Sequence, residues 1–533
     1  MDAILGKLPV EADANPSTTR SRLIPIVLLT LITLLAYVRG LDNQFVAEDF
    51  LFVSQFNASF DEAWQSMLTS SRVWPVGVVY RWVMFQISET NPIGYHVASL
   101  TIHIVNTLLV YYIGNRLSGD RRIGWTAALI FALYPRNHQP VLWMSGNLVP
   151  LSTLFSLICV VAFERYLSLK RFIWYGLALL TLALALLTLE GTVVLLPIML
   201  AMEYLMFHPF QLGKPRSFLL SPSRLLKYLP ILIIFALYFF INFGGARAYK
   251  LGGGEQIGDL EDLNTVGLER GDSYRFTIGL DSLKEGVVYI VYSAYPHIPL
   301  RALDANLPVM ALAGVTILAL LALFVKGNNF VRFSLVWIVV SLVPYVFFAT
   351  FGNADRYFYL AAIGFGFALS WVIWRVYDNL SPRGVNVARI FATAVIGLYV
   401  SSSLLVLQER AYEWHVAGET ASEILDQAVA LYPEPPAGST MVYVGLPRQF
   451  GQAYVYNSAF VTALSLRYGE KAEAVNLFQN HSDKAIQYLA TAEPVDEPLN
   501  NTYVMLYENG ELKDKTQVVD DRSALDPDLW FQW

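Results

Sequence analysis

The chain has 533 residues, 55% of them hydrophobic and 15% charged, with a formal charge of -6. A soluble domain carries roughly 25% charged residues, so most of this chain is suited to lipid, and without a basic tail or stripe it lacks the electrostatic footprint of a nucleic-acid binder. Its single cysteine, Cys159, lies inside an apolar run, which leaves no disulfide framework and no Cys-based metal site.

A polar N-terminal tail over residues 1–22 precedes a first apolar run long enough to span, so the start of the chain reads as a retained signal anchor. A spanning helix needs about 20 mainly apolar residues. About eleven candidate spans follow in order, centred on residues 23–39, 96–112, 123–134, 148–166, 172–189, 192–207, 228–243, 308–324, 333–348, 357–374 and 390–407. The third is short. Basic residues test the alternation, because Lys and Arg favour cytoplasmic loops. Arg20 and Arg22, Arg121 and Arg122, Lys170 and Arg171, Lys214 and Arg216, Lys326 and Arg332, and Arg375 and Arg383 all fall in one alternate set of loops. That set is predicted to be cytoplasmic. The other set holds the two long connections, residues 41–95 and 244–307, which places them and the C-terminal segment outside the cytoplasm. Beyond residue 408 the composition turns soluble, with Pro433, Pro435 and Pro436 as a linker signal, predicted strands at 441–446 and 502–507 and a predicted helix at 453–468. The domain plan is a cytoplasmic tail (1–22), a transmembrane domain (23–407) and a small extracytoplasmic α/β domain (408–533).

The first outside loop carries two adjacent carboxylates, Glu48 and Asp49, a few residues past the first span. One carboxylate there suits the base that takes a proton from an acceptor hydroxyl while a sugar leaves its phosphate. Adjacent side chains diverge, so one of the two is expected to act; the competing reading is a pair of solvated acids or a helix cap. A leaving phosphate also calls for cations on the same side. Arg72, Arg81, Arg136 with His138, Arg247, Lys250, Arg275, Arg301 and Arg356 qualify, each weighed against an interfacial cation that snorkels to headgroups. Arg136 and His138 stand out because they sit in a tight turn between spans. His103, inside the second span, reads as a helix-packing residue, and Glu190, between two apolar runs, is a functional candidate by its depth. No His and carboxylate pair has helical ligand spacing, so a metal-independent reaction without a cofactor is expected. Without a Gly-rich loop after a strand, a sugar nucleotide is not the expected donor.

These segments resemble a known family, the GT-C membrane glycosyltransferases, and within it the transmembrane and tetratricopeptide-repeat O-mannosyltransferases with their bacterial relatives. Residues 45–49 (FVAED) stand where that family has an acidic pair in its first luminal loop, and 94–98 (GYHVA) with 102–110 (IHIVNTLLV) resemble its second-span signature. Residues 131–147 (FALYPRNHQPVLWMSGN) are similar to its HPVHTEAVAWISGR-type turn, 189–191 (LEG) to its Lys-Glu turn, and 355–360 (DRYFYL) to its ERYLYLP-type motif. The resemblance covers roughly the first 400 residues. It implies that Glu48 and Asp49 hold the acceptor hydroxyl and supply the base, and that Arg136, His138 and Arg356 contact a polyprenyl-phosphate carrier or its sugar; Arg72, Glu190 and Tyr357 are further expected substrate-binding residues. The sequence departs from the family at Glu48, where Asp is usual, at Leu189, where Lys is usual, and at Asn147, where the turn ends in Arg. The repeats are absent, which removes any basis for protein recognition through them.

The expected function is transfer of a sugar from a polyprenyl-monophosphate to a glycan, lipid or protein hydroxyl, in a multi-pass protein of a prokaryotic plasma membrane. The alternatives are a transporter or lipid-carrier flippase, which would show repeated halves with broken helices, a polymerase or ligase using a diphosphate-linked donor, and a catalytically silent relative. The Asn-X-Ser/Thr sites at Asn57, Asn480 and Asn500 bear only on a eukaryotic lumen.

Overall fold

In a computed structural model, the described residues are 16–69, 73–207, 222–243, 280–299, 307–346, 354–457, 459–520, 525 and 530–531. The chain is a helical, multi-pass membrane protein with a small α/β unit at its C-terminal side. Each expected apolar run coincides with a helix. Among the described residues seven helices are long and apolar enough to cross a bilayer, and Phe172–Leu186, Leu226–Asn242 and Ala311–Lys326 are shorter apolar helices.

The first helix, α1 (Pro16–Tyr37), leads into a loop of three short helices, α2 (Asp49–Ala58), α3 (Phe60–Thr69) and α4 (Pro75–Ser88). Helix α5 (Pro92–Ser118) starts with Pro92 in its first turn and with the Asn91 side chain accepting the Ile93 N–H at 3.0 Å, which satisfies a donor the helix cannot. Gly119, in the left-handed region, ends it, and Asp120 caps α6 (Arg121–Ala132) by accepting the Arg122 N–H. The third expected span, short in the sequence and open to borrowing residues from the 134–143 loop, is short here as well. At 12 residues α6 reaches about 18 Å, short of the ~30 Å hydrocarbon layer. Most of its side chains are buried, so it is an interior helix that continues into a buried irregular stretch, residues 133–147, containing α7 (His138–Leu142). Non-helical backbone at that depth is tolerated because it is enclosed by protein.

Next come α8 (Leu148–Leu169), α9 (Phe172–Leu186), α10 (Leu195–Met202), α11 (Pro222–Phe243), α12 (Leu280–Ala294), α13 (Leu307–Lys326), α14 (Asn329–Val346) and α15 (Tyr359–Leu380). Helix α15 is wedged between α14 and α6 by two glycines. A methyl group at Gly364 would lie 2.7 Å from the Ser334 carbonyl, and one at Gly366 2.7 Å from the Ala127 carbonyl. Small residues let backbones approach in lipid, where packing rather than the hydrophobic effect joins helices. Large apolar side chains on α1, α11 and α13 face outward, as a lipid-facing surface requires.

The last long helix, α16 (Val385–Leu431), runs 47 residues, about 70 Å, through the expected boundary near residue 408 without a break. Ala411, Trp414, Ala417, Gly418, Ala421 and Leu425 recur on one buried face, which packs against the C-terminal unit. That unit has a five-stranded sheet in the order β6-β5-β1-β4-β7. Strands β1 (Thr440–Val444), β4 (Asn476–Asn480) and β5 (Thr502–Glu508) are parallel, while β6 (Glu511–Asp514) and β7 (Trp530–Phe531) pair antiparallel at the edges. Both expected strands are present. The expected helix at 453–468 begins only at Phe460, as α17 (Phe460–Tyr468), because Ala453–Tyr454 forms β3 of a hairpin with β2 (Gln449–Phe450). Helix α18 (Asp483–Thr491) covers the sheet, with the Ser482 hydroxyl capping its first turn.

Candidate active site

The loop after α1 is pinned by the C-terminal unit. The Ala47 N–H donates to the Val455 carbonyl at 2.7 Å, and the backbone of Gln44 lies close to Gly418 on α16, where a methyl group would sit 3.0 Å from the Gln44 nitrogen. Ala47 is left-handed with φ of 47°, a strained state for a residue with a Cβ, and this tight turn presents Glu48 and Asp49 in opposite directions. Asp49 is the first residue of α2 and is buried. One of its oxygens accepts the Val46 N–H at 3.2 Å; the other accepts both the Ser145 N–H at 2.8 Å and the Ser145 hydroxyl. Burial pushes the Asp49 carboxyl up to about 7, against the pull of those hydrogen bonds. Glu48 is half-buried and turns toward the C-terminal unit, with Oε1 accepting from the Asn457 amide at 3.1 Å and Oε2 lacking a hydrogen-bond partner among the described residues.

Arg81, on α4, sits under this turn. Its guanidinium stacks 3.3 Å above the Phe52 ring and donates to the Ser145 carbonyl at 3.1 Å. Burial lowers it to about 9, with the Asp49 charge opposing, so it stays cationic at neutral pH.

Arg136 and His138 meet Asp355. Arg136 donates to one carboxylate oxygen at 2.6 Å and to the Tyr292 and Ile298 carbonyls; His138 Nε2 lies 2.8 Å from the other oxygen. The Trp414 indole N–H, which can only donate, is 3.0 Å from His138 Nδ1. Nδ1 is therefore a lone-pair acceptor and Nε2 carries the proton it gives to Asp355. Both side chains are buried, and their polar atoms are occupied by protein groups. Next to them, Arg356 is half-buried: its backbone N–H donates to Gln139 Oε1 at 2.9 Å, and its guanidinium lies 5.4 Å from the Trp143 ring centre and 3.2 Å from the Tyr357 hydroxyl. Tyr357 stacks on Tyr345 with ring centres 4.3 Å apart, and Gly191, beside the half-buried Glu190, packs against the Tyr345 hydroxyl. His103 has the packing role expected of it, with Tyr359 Oη 2.7 Å from Nδ1 and the Ala132 carbonyl 3.2 Å from Nε2.

The five segments singled out in the sequence thus come together at one end of the bundle: 45–49 through Ser145, 94–110 through His103 and Tyr359, 131–147 through Asp355 and Arg356, and 189–191 through Tyr345 and Tyr357. Arg72, Arg247, Lys250, Arg275 and Arg301 lie outside the described residues. Sequence reasoning missed Ser145 and Gln139 as partners although both stand in a quoted motif, and missed Trp414 and Asn457 altogether. The Ala-rich spacing of residues 411–428 is a helical signal that could have placed Trp414 on α16.

Comparison with known proteins gives a local match. No family model matches the chain. Over 90 residues it is 31% identical to a protein O-mannosyl-transferase of Caenorhabditis elegans, a stretch making up 16% of this chain and 13% of that protein. The chain therefore spans a small part of the curated relative it matches. A crystal structure of ArnT from Cupriavidus metallidurans bound to undecaprenyl phosphate aligns over 94% of this chain and 99% of its own at 12% identity, with a TM-score of 0.45, too loose a likeness to carry residue roles across.

Proposed function

We propose that the chain is a GT-C glycosyltransferase that moves a sugar from a polyprenyl-monophosphate to a hydroxyl acceptor at the membrane face where Glu48 and Asp49 lie. The observation that carries this reading is the convergence of the five family-like segments on a buried carboxylate turn flanked by the cations Arg81 and Arg356. In the reaction, the bond from the sugar's anomeric carbon to the carrier phosphate oxygen breaks, its electron pair stays on the phosphate, and the acceptor oxygen bonds to that carbon. Glu48 takes the acceptor's proton, because one of its oxygens is uncommitted while both Asp49 oxygens already serve Ser145 and Val46. Asp49 is a positioning residue that holds the turn. Arg356, with Tyr357 and Glu190 beside it, meets the charge growing on the departing phosphate. Arg136, His138 and Asp355 fix the floor of the site. The reading is of a metal-independent reaction.

The site faces outward from the cytoplasm, with the N-terminus inside, a reading supported by the distribution of Lys and Arg among the loops; the bacterial relatives in the resemblance favour a prokaryotic plasma membrane. The test is transfer of radiolabel from a panel of polyprenyl-monophosphate sugars by purified protein with membrane acceptors, comparing wild type with Glu48→Gln. Label that moves with wild type and stops in the variant, while donor still binds, supports the assignment. Equal transfer by both overturns the role of Glu48, and consumption of diphosphate-linked donors alone overturns the donor class.

A further inference from the structure

At the end of the bundle opposite Glu48, a second polar cleft opens between the α13–α14 turn and the last turns of α15. It encloses about 360 Å³, a size that suits a small polar group. Helix α15 starts at Tyr359, in the candidate active site, and carries this cleft near its other end. Its 22 residues span about 33 Å, one hydrocarbon thickness, so the two sites belong to opposite membrane faces.

Lys326 and Arg375 line the cleft, and neither forms an ion pair among the described residues. Asp378, also in the lining, is held by Arg122, which Asp120 shares. Three cations thus stand against two carboxylates. Trp371 and Trp374 form the wall, and the Trp374 N–H is anchored to the Thr126 hydroxyl at 3.0 Å. Tryptophans at such a level mark the headgroup region of a bilayer. Below Lys326, Val315, Leu318, Leu321 and Val325 make an exposed apolar stripe along α13 at helical spacing. A soluble anion has no use for that stripe; an acyl chain does.

We propose that this cleft is a binding site for an anionic phospholipid, with its phosphate between Lys326 and Arg375, its glycerol against Trp371 and its acyl chain along the α13 stripe. Basic clefts between spanning helices are suited to such headgroups. The inference does not depend on the glycosyltransferase reading.

The experiment is native mass spectrometry of the full chain after exchange into mixed micelles with equal amounts of phosphatidylglycerol and phosphatidylcholine. Wild type is expected to retain phosphatidylglycerol several-fold over phosphatidylcholine, Lys326→Gln/Arg375→Gln to lose that preference, and excess inorganic phosphate to displace nothing. If the double variant does not survive purification, Lys326→Gln and Arg375→Gln must each lower the preference. Equal retention of the two lipids by wild type, or an unchanged preference in the variants, overturns the proposal. Displacement by phosphate would assign the cleft to a soluble anion and overturns it too. Arg171→Gln, an exposed cation in another turn, must leave the preference intact; an equal loss there would mean diffuse surface attraction and no site.

Discussion

Ser145 donates twice to one oxygen of Asp49, through its backbone N–H at 2.8 Å and through its hydroxyl. That double bond of contacts ties the first loop to the buried turn of residues 133–147 and separates the duties of the two adjacent acids. Glu48→Gln is expected to lower transfer by about 10²-fold or more, the usual scale of a general base, with little change in thermal stability. Ser145→Ala should lower both transfer and stability. Initial rates beside thermal unfolding check the division; a Glu48→Gln protein that transfers normally removes Glu48 as the base.

Asp49 couples stability to pH. Its folded-state carboxyl titrates near 7, above the 3.8 of an unperturbed Asp, so between those values the folded chain binds the proton more tightly than the unfolded chain. Stability is highest below that window and falls as pH rises through it, by at most about 4 kcal/mol. Wild type should therefore lose more thermal stability than Asp49→Asn between pH 5 and pH 8. Parallel losses in the two proteins would show that Asp49 does not carry the effect.

The buried pair of Arg136 and Asp355 should behave as a unit. Removing one partner leaves an uncompensated charge, so Asp355→Ala and Arg136→Ala are each expected to cost about 3–5 kcal/mol. The double variant should cost less than the sum. A denaturation cycle on the four proteins measures the coupling, and strict additivity would contradict the 2.6 Å contact.

Arg356→Ala is expected to raise the apparent KM for the polyprenyl-phosphate donor by tenfold or more, about 1.4 kcal/mol. Arg356→Lys should recover little, because a lysine reproduces neither the stacking on Trp143 nor the planar fork. Donor titrations with both variants decide this, and full recovery by lysine would reduce the role to a point charge.

Gly364→Ala should loosen the contact of α15 with α14. The added methyl meets backbone, which cannot rotate away, and overpacking of this kind costs about 1–3 kcal/mol. A lowered unfolding temperature is the expected readout.

The membrane-spanning plan was legible because long apolar runs have few alternatives in lipid. Helix α6 was the hard case: its run of apolar residues looks like a short span, yet what buries it is protein, and periodicity cannot tell the two surroundings apart. The change of composition near residue 408 is no break in the helix for a related reason. Composition reports whether a surface is wetted, while α16 continues because Ala411, Ala417, Ala421 and Ala428 are good helix formers with a partner to pack on. Within the site, residue types pointed to Glu48, Asp49 and a wide set of cations, and the family resemblance singled out Arg136, His138 and Arg356 among them. The contacts that set their states come from far along the chain, with Trp414 276 residues from His138 and Asn457 409 residues from Glu48. Such pairings follow from tertiary packing, and no local pattern announces them.

The unbroken course of α16 also sets the working distance of the protein. One stiff rod is anchored in the bilayer at one end and grips the first loop and the sheet unit at the other, so the sheet unit has no swivel at the membrane surface. It can neither swing out to fetch a distant molecule nor retract. On the proposed reading, a sugar acceptor would have to come down to a fixed height above the lipid, which favours acceptors that are tethered to the membrane or have a flexible end long enough to reach it.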